Sequence, residues 1–148
     1  MARIELFWDP FGQGDPGPCI YVIVRNSPDV IERGRALGLE YPESRKMRAL
    51  LDTGASVTVI SKTFTKYCKL FQTNEGTELR VLGATYRGGE HAGSVSFPGT
   101  NLRTFDLIRI ISADFEKEPN YACLIGRDIL RIWIISFDGP SKRVTITD

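Results

Sequence analysis

The sequence predicts an all-β fold in one domain spanning residues 1–148. Short runs rich in β-branched and other apolar residues recur along the chain, and segments rich in Gly, Pro and Asp separate them. A chain of 148 residues has the length of a single domain and can bury a sizeable core. The sequence has no internal repeat and no low-complexity tract, so it gives no reason to divide the chain further.

The predicted strands follow one another at short intervals. The first, at residues 19–24, comes after a Gly- and Pro-rich turn at 12–18. A turn or short helix is expected at 63–70. The remaining predicted strands are at 47–51, 57–60, 78–83, 92–97, 105–111 and 121–125.

Two hairpins are expected. The hairpin over 78–97 would have a flexible tip at 86–91, where two glycines stand together. The hairpin over 132–147 carries Asp-Gly in its loop, which is a typical hairpin signal.

One helix is expected, over residues 27–38. Ser27 can cap it and Pro28 suits its first turn. Apolar residues then recur at helical spacing as far as Leu37, and Gly38 provides a C-terminal stop. A helix here could be a lid, an interface element or a neutral surface insertion.

The composition argues against several classes of partner. The 19 Lys and Arg residues nearly balance the 18 Asp and Glu residues, so the net charge of +1 is too low for a typical nucleic-acid-binding protein. No apolar run is long enough for a membrane span, and Glu5 and Asp9 interrupt the region where a signal peptide would be apolar. The three cysteines form no Cys-x-x-Cys pair, which favours free thiols in a reducing, cytoplasmic compartment.

The most informative segment is Leu-Leu-Asp-Thr-Gly-Ala-Ser at residues 50–56. A carboxylate directly after an apolar strand is unusual, because burying an unpaired charge is costly. Thr53 supplies a hydroxyl beside Asp52, and Gly54 allows a close approach to the backbone. Taken alone, the segment could equally be a turn that leaves a strand.

A second segment, Cys-Leu-Ile-Gly-Arg-Asp-Ile-Leu at residues 123–130, changes that balance. In this order the two segments resemble the retropepsin-like aspartic proteases, the family of retroviral proteases and their cellular relatives, over about residues 18–147. The resemblance implies a closed, barrel-like monomer with one or two short helices and a flap hairpin at 78–97.

The resemblance also implies a site and a reaction. Asp52 would be the catalytic residue of an aspartic endopeptidase, in a loop supported by Thr53, Gly54 and Ala55. The structural motif would comprise Gly126, Arg127 and Asp128, and the flap residues that bind substrate would be Gly83, Tyr86, Gly88 and Gly89. Neighbours of the substrate pockets would include Val81, Leu82, Ile125 and Ile129.

The number of Asp-Thr-Gly segments predicts the oligomeric state. Aspartic proteolysis needs two carboxyl groups around one water, and this chain supplies one such segment. A homodimer with Asp52 of each subunit at a two-fold axis is therefore expected, acting on an extended peptide or protein substrate. The 132–147 hairpin could join the subunits, or it could be a strand pair inside the monomer.

No cofactor and no metal is expected, and the single histidine, His91, is interpreted as an exposed loop residue.

The chain departs from the retroviral pattern in ways that affect these expectations. Ser56 stands where retroviral members commonly have an Asp that pairs with the Arg of the second motif. Arg127 must then find another partner: Asp128, a terminal carboxylate or a group across the dimer. Ala55 lacks the hydroxyl that would stabilise an ionised carboxylate in acid-acting members, so we expect a mildly acidic to near-neutral optimum. The alternative function is a catalytically silent binding or dimerisation module with the same fold.

Overall fold

Strands dominate the structure. In the computed structural model of the chain, the described residues are 1–8, 16–81, 84–118 and 120–148. Within them the strands are β1 (Arg3–Phe7), β2 (Cys19–Arg25), β3 (Met47–Leu51), β4 (Val59–Ser61), β5 (Phe71–Val81), β6 (Ala84–Ser96), β7 (Phe105–Ala113), β8 (Cys123–Ile125), β9 (Ile134–Asp138) and β10 (Arg143–Thr147). The helices are α1 (Pro28–Ala36), α2 (Lys62–Tyr67) and α3 (Arg127–Leu130).

The larger sheet closes on itself. Its strand order is β2-β3-β8-β4-β7-β6-β5, and β2 also pairs with β6. That extra pairing, from Ile23 opposite Ser96 to Arg25 opposite Ser94, joins two distant strands of the order. The result is a closed barrel from which β5 extends as the partner of β6, so the predicted all-β, barrel-like fold is confirmed.

Strand β8 lies between the two strands that flank the Asp-Thr-Gly segment. It pairs in parallel with β3, where Leu51 is opposite Ile125, and antiparallel with β4, where Val59 is opposite Leu124. The ends of β3 and β8 therefore lie side by side. This arrangement brings the two sequence motifs together although residues 57–122 lie between them in the chain.

Alternation along the strands builds the core. In β2 the side chains of Ile20, Val22 and Val24 are buried while those between them are more exposed. A cluster of three aromatic rings, Phe97, Phe105 and Trp133, continues this core, with ring centroids 5.0 to 6.1 Å apart and edge-to-face angles.

A second, three-stranded sheet has the order β1-β10-β9. β10 is its central strand and buries Val144 and Ile146 completely, so this half of the 132–147 hairpin lies within the monomer. The sequence analysis did not predict β1, which pairs with β10 along its whole length. β9 is an outer strand and leaves Ile134 and Phe137 exposed.

Helix α1 lies within the segment predicted as helical. Ser27 occupies the N-cap position without a side-chain cap hydrogen bond, and Pro28 is in the first turn. Gly34 is buried, and a Cβ at this position would lie 2.1 Å from the ring of Tyr41, so the glycine makes room for that ring. No helix in the described ranges is both long enough and apolar enough to cross a bilayer.

The predicted tip of the 78–97 hairpin is wrong. Residues 86–91 lie inside β6, where Arg87 is opposite Glu78 and Gly88 is opposite Thr77. Gly88 is needed for close packing, because a Cβ there would lie 2.2 Å from the carbonyl oxygen of Ser112 on β7. β5 and β6 are antiparallel with Val81 opposite Ala84, and Gly83 lies outside the described residues.

His91 is also placed differently from the expectation. It lies in β6 and is 9% exposed, with its Nδ1 3.3 Å from the carbonyl oxygen of Leu70. A strand through 86–91 turns this side chain inward, so the exposed-loop interpretation is wrong.

Candidate active site

Asp52 stands at the point where β3 leaves the barrel. Its backbone amide donates to the carbonyl oxygen of Ile125 on the neighbouring strand at 3.0 Å. The amide of Gly54 donates to the Asp52 Oδ1 atom at 2.9 Å, and the amide of Ala55 donates to the Asp52 carbonyl at 3.2 Å. These bonds form a tight turn that holds one carboxylate oxygen and leaves the carboxyl group half-buried.

The second motif, at residues 123–130, forms hydrogen bonds with Thr58, which follows this turn in the chain. Asp128 accepts from the Thr58 amide at 2.9 Å and from the Thr58 hydroxyl at 2.8 Å. The Thr58 Oγ1 atom in turn accepts from the amide of Gly126 at 3.3 Å. A Cβ on Gly126 would lie 2.4 Å from the carbonyl carbon of Val57, so the backbones approach too closely for any side chain.

Arg127 finds its partner within the same loop. Its backbone amide donates to the Ala55 carbonyl at 2.8 Å, and its Nη1 atom donates to the Thr53 carbonyl at 2.8 Å. Asp128, one of the three expected partners of Arg127, accepts hydrogen bonds from Thr58 instead. The guanidinium is exposed, so no buried unpaired charge arises where Ser56 replaces the acidic residue.

The residues around the carboxyl group differ in exposure. Thr53 and Gly54 are exposed, whereas Ala55 is half-buried. Tyr121 lies close enough to the carboxylate to be affected by it: burial raises the pKa of its phenol, and the negative charges of Glu118 and Asp52 raise it further. An exposed loop around a held carboxylate can admit a water, a substrate or a second protein chain.

A cavity of about 270 Å³ is bordered by residues of β4, β6, β7 and β8. Its apolar lining includes Val59, Ile111 and Leu124, and Gly88 of β6 also borders it. Asp52 does not line it, but Tyr121 does. Charged residues at the cavity are Lys62, Arg87, Asp114 and Glu118.

Two of the predicted pocket neighbours, Ile125 and Ile129, are completely buried in the core and do not line this cavity. Leu124 lines it instead, because successive side chains of β8 point to opposite faces. The burial of this strand alternates, with residues 123 and 125 buried and 124 intermediate. The sequence gives no sign of this, because Cys, Leu and Ile are all apolar. Val81 has no described side chain, and Leu82 lies outside the described residues.

The predicted flap residues are brought together only in part. Gly88 lies at the cavity and Gly89 follows it in β6, where its carbonyl accepts from the Ser112 hydroxyl at 3.2 Å. Tyr86 is in the same strand, and its side chain is not described.

Comparison with known proteins gives a structural relationship without a close sequence relative. No protein-family model matches the chain, and no curated protein sequence matches it significantly. Among solved structures, the chain is similar to a retropepsin-like aspartic protease from Rickettsia conorii, with a TM-score of 0.54 and 14% identity over 97% of this chain and 89% of that one. It is also similar to EIAV protease in complex with the inhibitor HBY-793, with a TM-score of 0.47 and 22% identity over 63% of this chain and 88% of that one.

The fold assignment rests on the first of these matches, which spans almost the whole chain. The chain therefore has a retropepsin-like fold.

Proposed function

We propose that the chain is an aspartic endopeptidase that works as a homodimer, with Asp52 as its catalytic residue. The observation that carries this proposal is the braced Asp-Thr-Gly turn. One oxygen of the Asp52 carboxyl group is held by the Gly54 amide, and Arg127 fixes the turn by donating to the carbonyls of Thr53 and Ala55. Such preorganisation is what a carboxyl group needs to act on a water at a fixed position.

The need for a second chain follows from the chemistry. One carboxyl group cannot both take a proton from water and donate a hydrogen bond to the scissile carbonyl. The exposure of Thr53 and Gly54 in the single chain supports a symmetric contact at this loop. In the dimer, the Thr53 hydroxyl would bond across the interface and fix both loops.

In the proposed reaction the two Asp52 carboxyl groups share one proton, because two like charges at close range cannot both ionise. The ionised carboxylate takes a proton from the bound water, whose oxygen attacks the scissile carbonyl carbon. The protonated partner donates a hydrogen bond to the carbonyl oxygen, and a tetrahedral intermediate forms. The C–N bond then breaks as the proton taken from the water passes to the leaving amine nitrogen. The β5–β6 hairpin would cover an extended peptide, and the cavity lined by Val59, Ile111 and Leu124 would take one of its side chains.

Asp52→Asn tests the proposal, because it keeps the shape of the side chain and removes the general base. We expect cleavage of a peptide library by the wild-type chain and a loss of about a hundredfold or more in the variant. Asp29→Asn, an exposed change on α1, is the matched control and should leave cleavage unchanged. Sedimentation analysis of the same samples should show a dimer under the conditions in which cleavage occurs.

Two results would contradict the proposal. Equal cleavage by the wild type and Asp52→Asn would mean that a contaminant cleaves the peptides. A folded, dimeric wild-type chain that cleaves no peptide would favour the alternative, a catalytically silent binding module.

A further inference from the structure

A second groove adjoins the candidate active site. It encloses about 380 Å³ and is lined on one side by Arg45, Lys46 and Arg48, at the beginning of β3. We call these residues, with the neighbouring rings of Tyr21 and Phe64, the basic groove. No part of the proposed reaction uses it.

The cations of the basic groove are held in place without being neutralised. The Lys46 ammonium lies 4.7 Å from the centroid of the Tyr21 ring, and the Arg45 guanidinium lies 5.7 Å from that of Phe64. Among the described residues, no carboxylate forms an ion pair with Arg45, Lys46 or Arg48. Their charges are therefore available to an anionic ligand.

The groove adjoins the cavity described above. Tyr121 and Glu118 line both spaces, so the two lie next to each other on the surface. Strand β3 runs from the groove, at Met47, to Asp52. At about 3.3 Å per residue this distance corresponds to about five residues of an extended peptide.

We propose that the basic groove binds an acidic segment of the peptide substrate, about five residues from the scissile bond. This inference rests on the proposed function, because the cavity is taken as a peptide site. A peptide fits better than a nucleic acid, because the chain as a whole has a net charge of only +1, too low for affinity that comes from neutralising a phosphate backbone.

Binding of labelled peptides to the Asp52→Asn chain tests the proposal without turnover. The probes are fluorescein-labelled peptides that contain an apolar pair and a run of glutamates about five residues from it, on the N-terminal side in one peptide and on the C-terminal side in another. Each has a control peptide in which glutamines replace the glutamates. We expect the glutamate peptide to bind roughly fivefold or more tightly, by fluorescence anisotropy, and added NaCl to reduce this preference.

Two double variants assign the effect to the groove. Arg45→Gln/Lys46→Gln, both exposed, should remove the preference for the glutamate peptide. Arg33→Gln/Arg35→Gln, which removes the same charge from exposed positions on α1, should keep it. The proposal would be overturned by equal binding of the two peptides, by a preference that survives in the first double variant, or by displacement of the glutamate peptide by oligothymidylate at lower concentration.

The two proposals fail in different ways. Failure of the wild-type chain to cleave any peptide would remove the protease function, while the anisotropy measurement would still report on the groove. Cleavage that depends on Asp52, with equal binding of the glutamate and glutamine peptides, would leave the protease and remove the acidic-segment site.

Discussion

At the scale of single residues, the candidate site depends on a glycine that no other residue can replace. Gly126 lies where a Cβ would meet the Val57 carbonyl group at 2.4 and 2.5 Å and the Thr58 amide nitrogen at 2.9 Å. All three are backbone atoms, which cannot move aside as a side chain can. The close approach also lets the Gly126 amide reach the Thr58 hydroxyl.

We predict that Gly126→Ala lowers the free energy of unfolding by about 3 kcal/mol, because the backbone of one motif must move away from the other. Gly76→Ala is the control, since a Cβ at that position meets nothing within 4 Å. It should change the free energy by no more than about 0.5 kcal/mol. Urea unfolding measures both, and similar values for the two variants would contradict the close-packing argument.

Sequence reasoning reached the residues of the two motifs because their types are restrictive. An aspartate at the end of an apolar strand, followed by Thr53 and Gly54, has few structural explanations. The partner of Arg127 could not be predicted, since it is a backbone carbonyl, that of Thr53, and backbone acceptors leave no mark in the sequence. The Thr58–Asp128 contact joins residues 70 positions apart and was missed for a similar reason.

At the scale of elements, the hairpin shows how one pattern can have two causes. Adjacent glycines are typical of a turn, which led to the wrong tip at 86–91. In the structure Gly88 instead allows β6 to approach the Ser112 carbonyl on β7. A single sequence does not distinguish a glycine needed for backbone freedom from one needed for space. β1 was not predicted, although Arg3, Ile4, Glu5 and Leu6 alternate between charged and apolar residues.

Another element junction depends on Asn26, which is completely buried at the end of β2. Its Nδ2 atom donates to the carbonyls of Cys68 and Lys69, at 3.1 and 3.0 Å, and its Oδ1 atom accepts from the Phe71 amide at 2.8 Å. One side chain thus satisfies three backbone groups where the chain passes from α2 to β5. Lys69 has a positive φ of 49°, so this turn needs outside support.

We predict that Asn26→Ala lowers the free energy of unfolding by about 3 kcal/mol, because it leaves these three backbone groups without partners. Asn101→Ala, at an exposed position, should cost no more than about 0.5 kcal/mol. Thermal and urea unfolding of both variants provide the measurement. A loss of stability no larger in Asn26→Ala than in Asn101→Ala would show that water replaces the missing hydrogen bonds.

At the scale of the whole molecule, buried thiols make stability depend on pH in the alkaline range. Burial raises the pKa of the Cys68 thiol from 9.0 to about 11, with a further contribution from Glu43. Burial also raises the pKa of Cys123. A raised pKa means that the folded state keeps its proton while the unfolded state loses it. The stabilising effect is therefore complete below pH 9 and is lost as the pH rises towards 11.

We predict that Cys68 accounts for a fall of about 1 kcal/mol in the free energy of unfolding between pH 8 and pH 10. Urea unfolding of the wild type and of Cys68→Ala at both pH values measures the part of this fall that is due to Cys68. The variant should lose less stability than the wild type over the same interval. An identical loss in the two proteins would mean that Cys68 does not titrate differently in the folded and unfolded states.

The overall fold was more predictable from the sequence than the pairing of its strands. The barrel follows from the apolar runs and from the resemblance, but the pairing of β2 with β6 joins residues about 70 positions apart, for which no local pattern exists. The 132–147 hairpin was left undecided, and its two strands behave differently. β10 is enclosed by neighbours on both sides, while the outer strand β9 exposes Ile134 and Phe137.

The pairing of β1 with β10 also brings Ala2 and Asp148, at the outer ends of these two strands, together, since the Asp148 amide donates to the Ala2 carbonyl at 2.9 Å. A short linker could join these ends, and a new opening could be made at the exposed Gly99 turn without breaking a strand pairing. Circular permutation would then place a fusion partner at Gly99 and leave the sheet that holds the present termini intact.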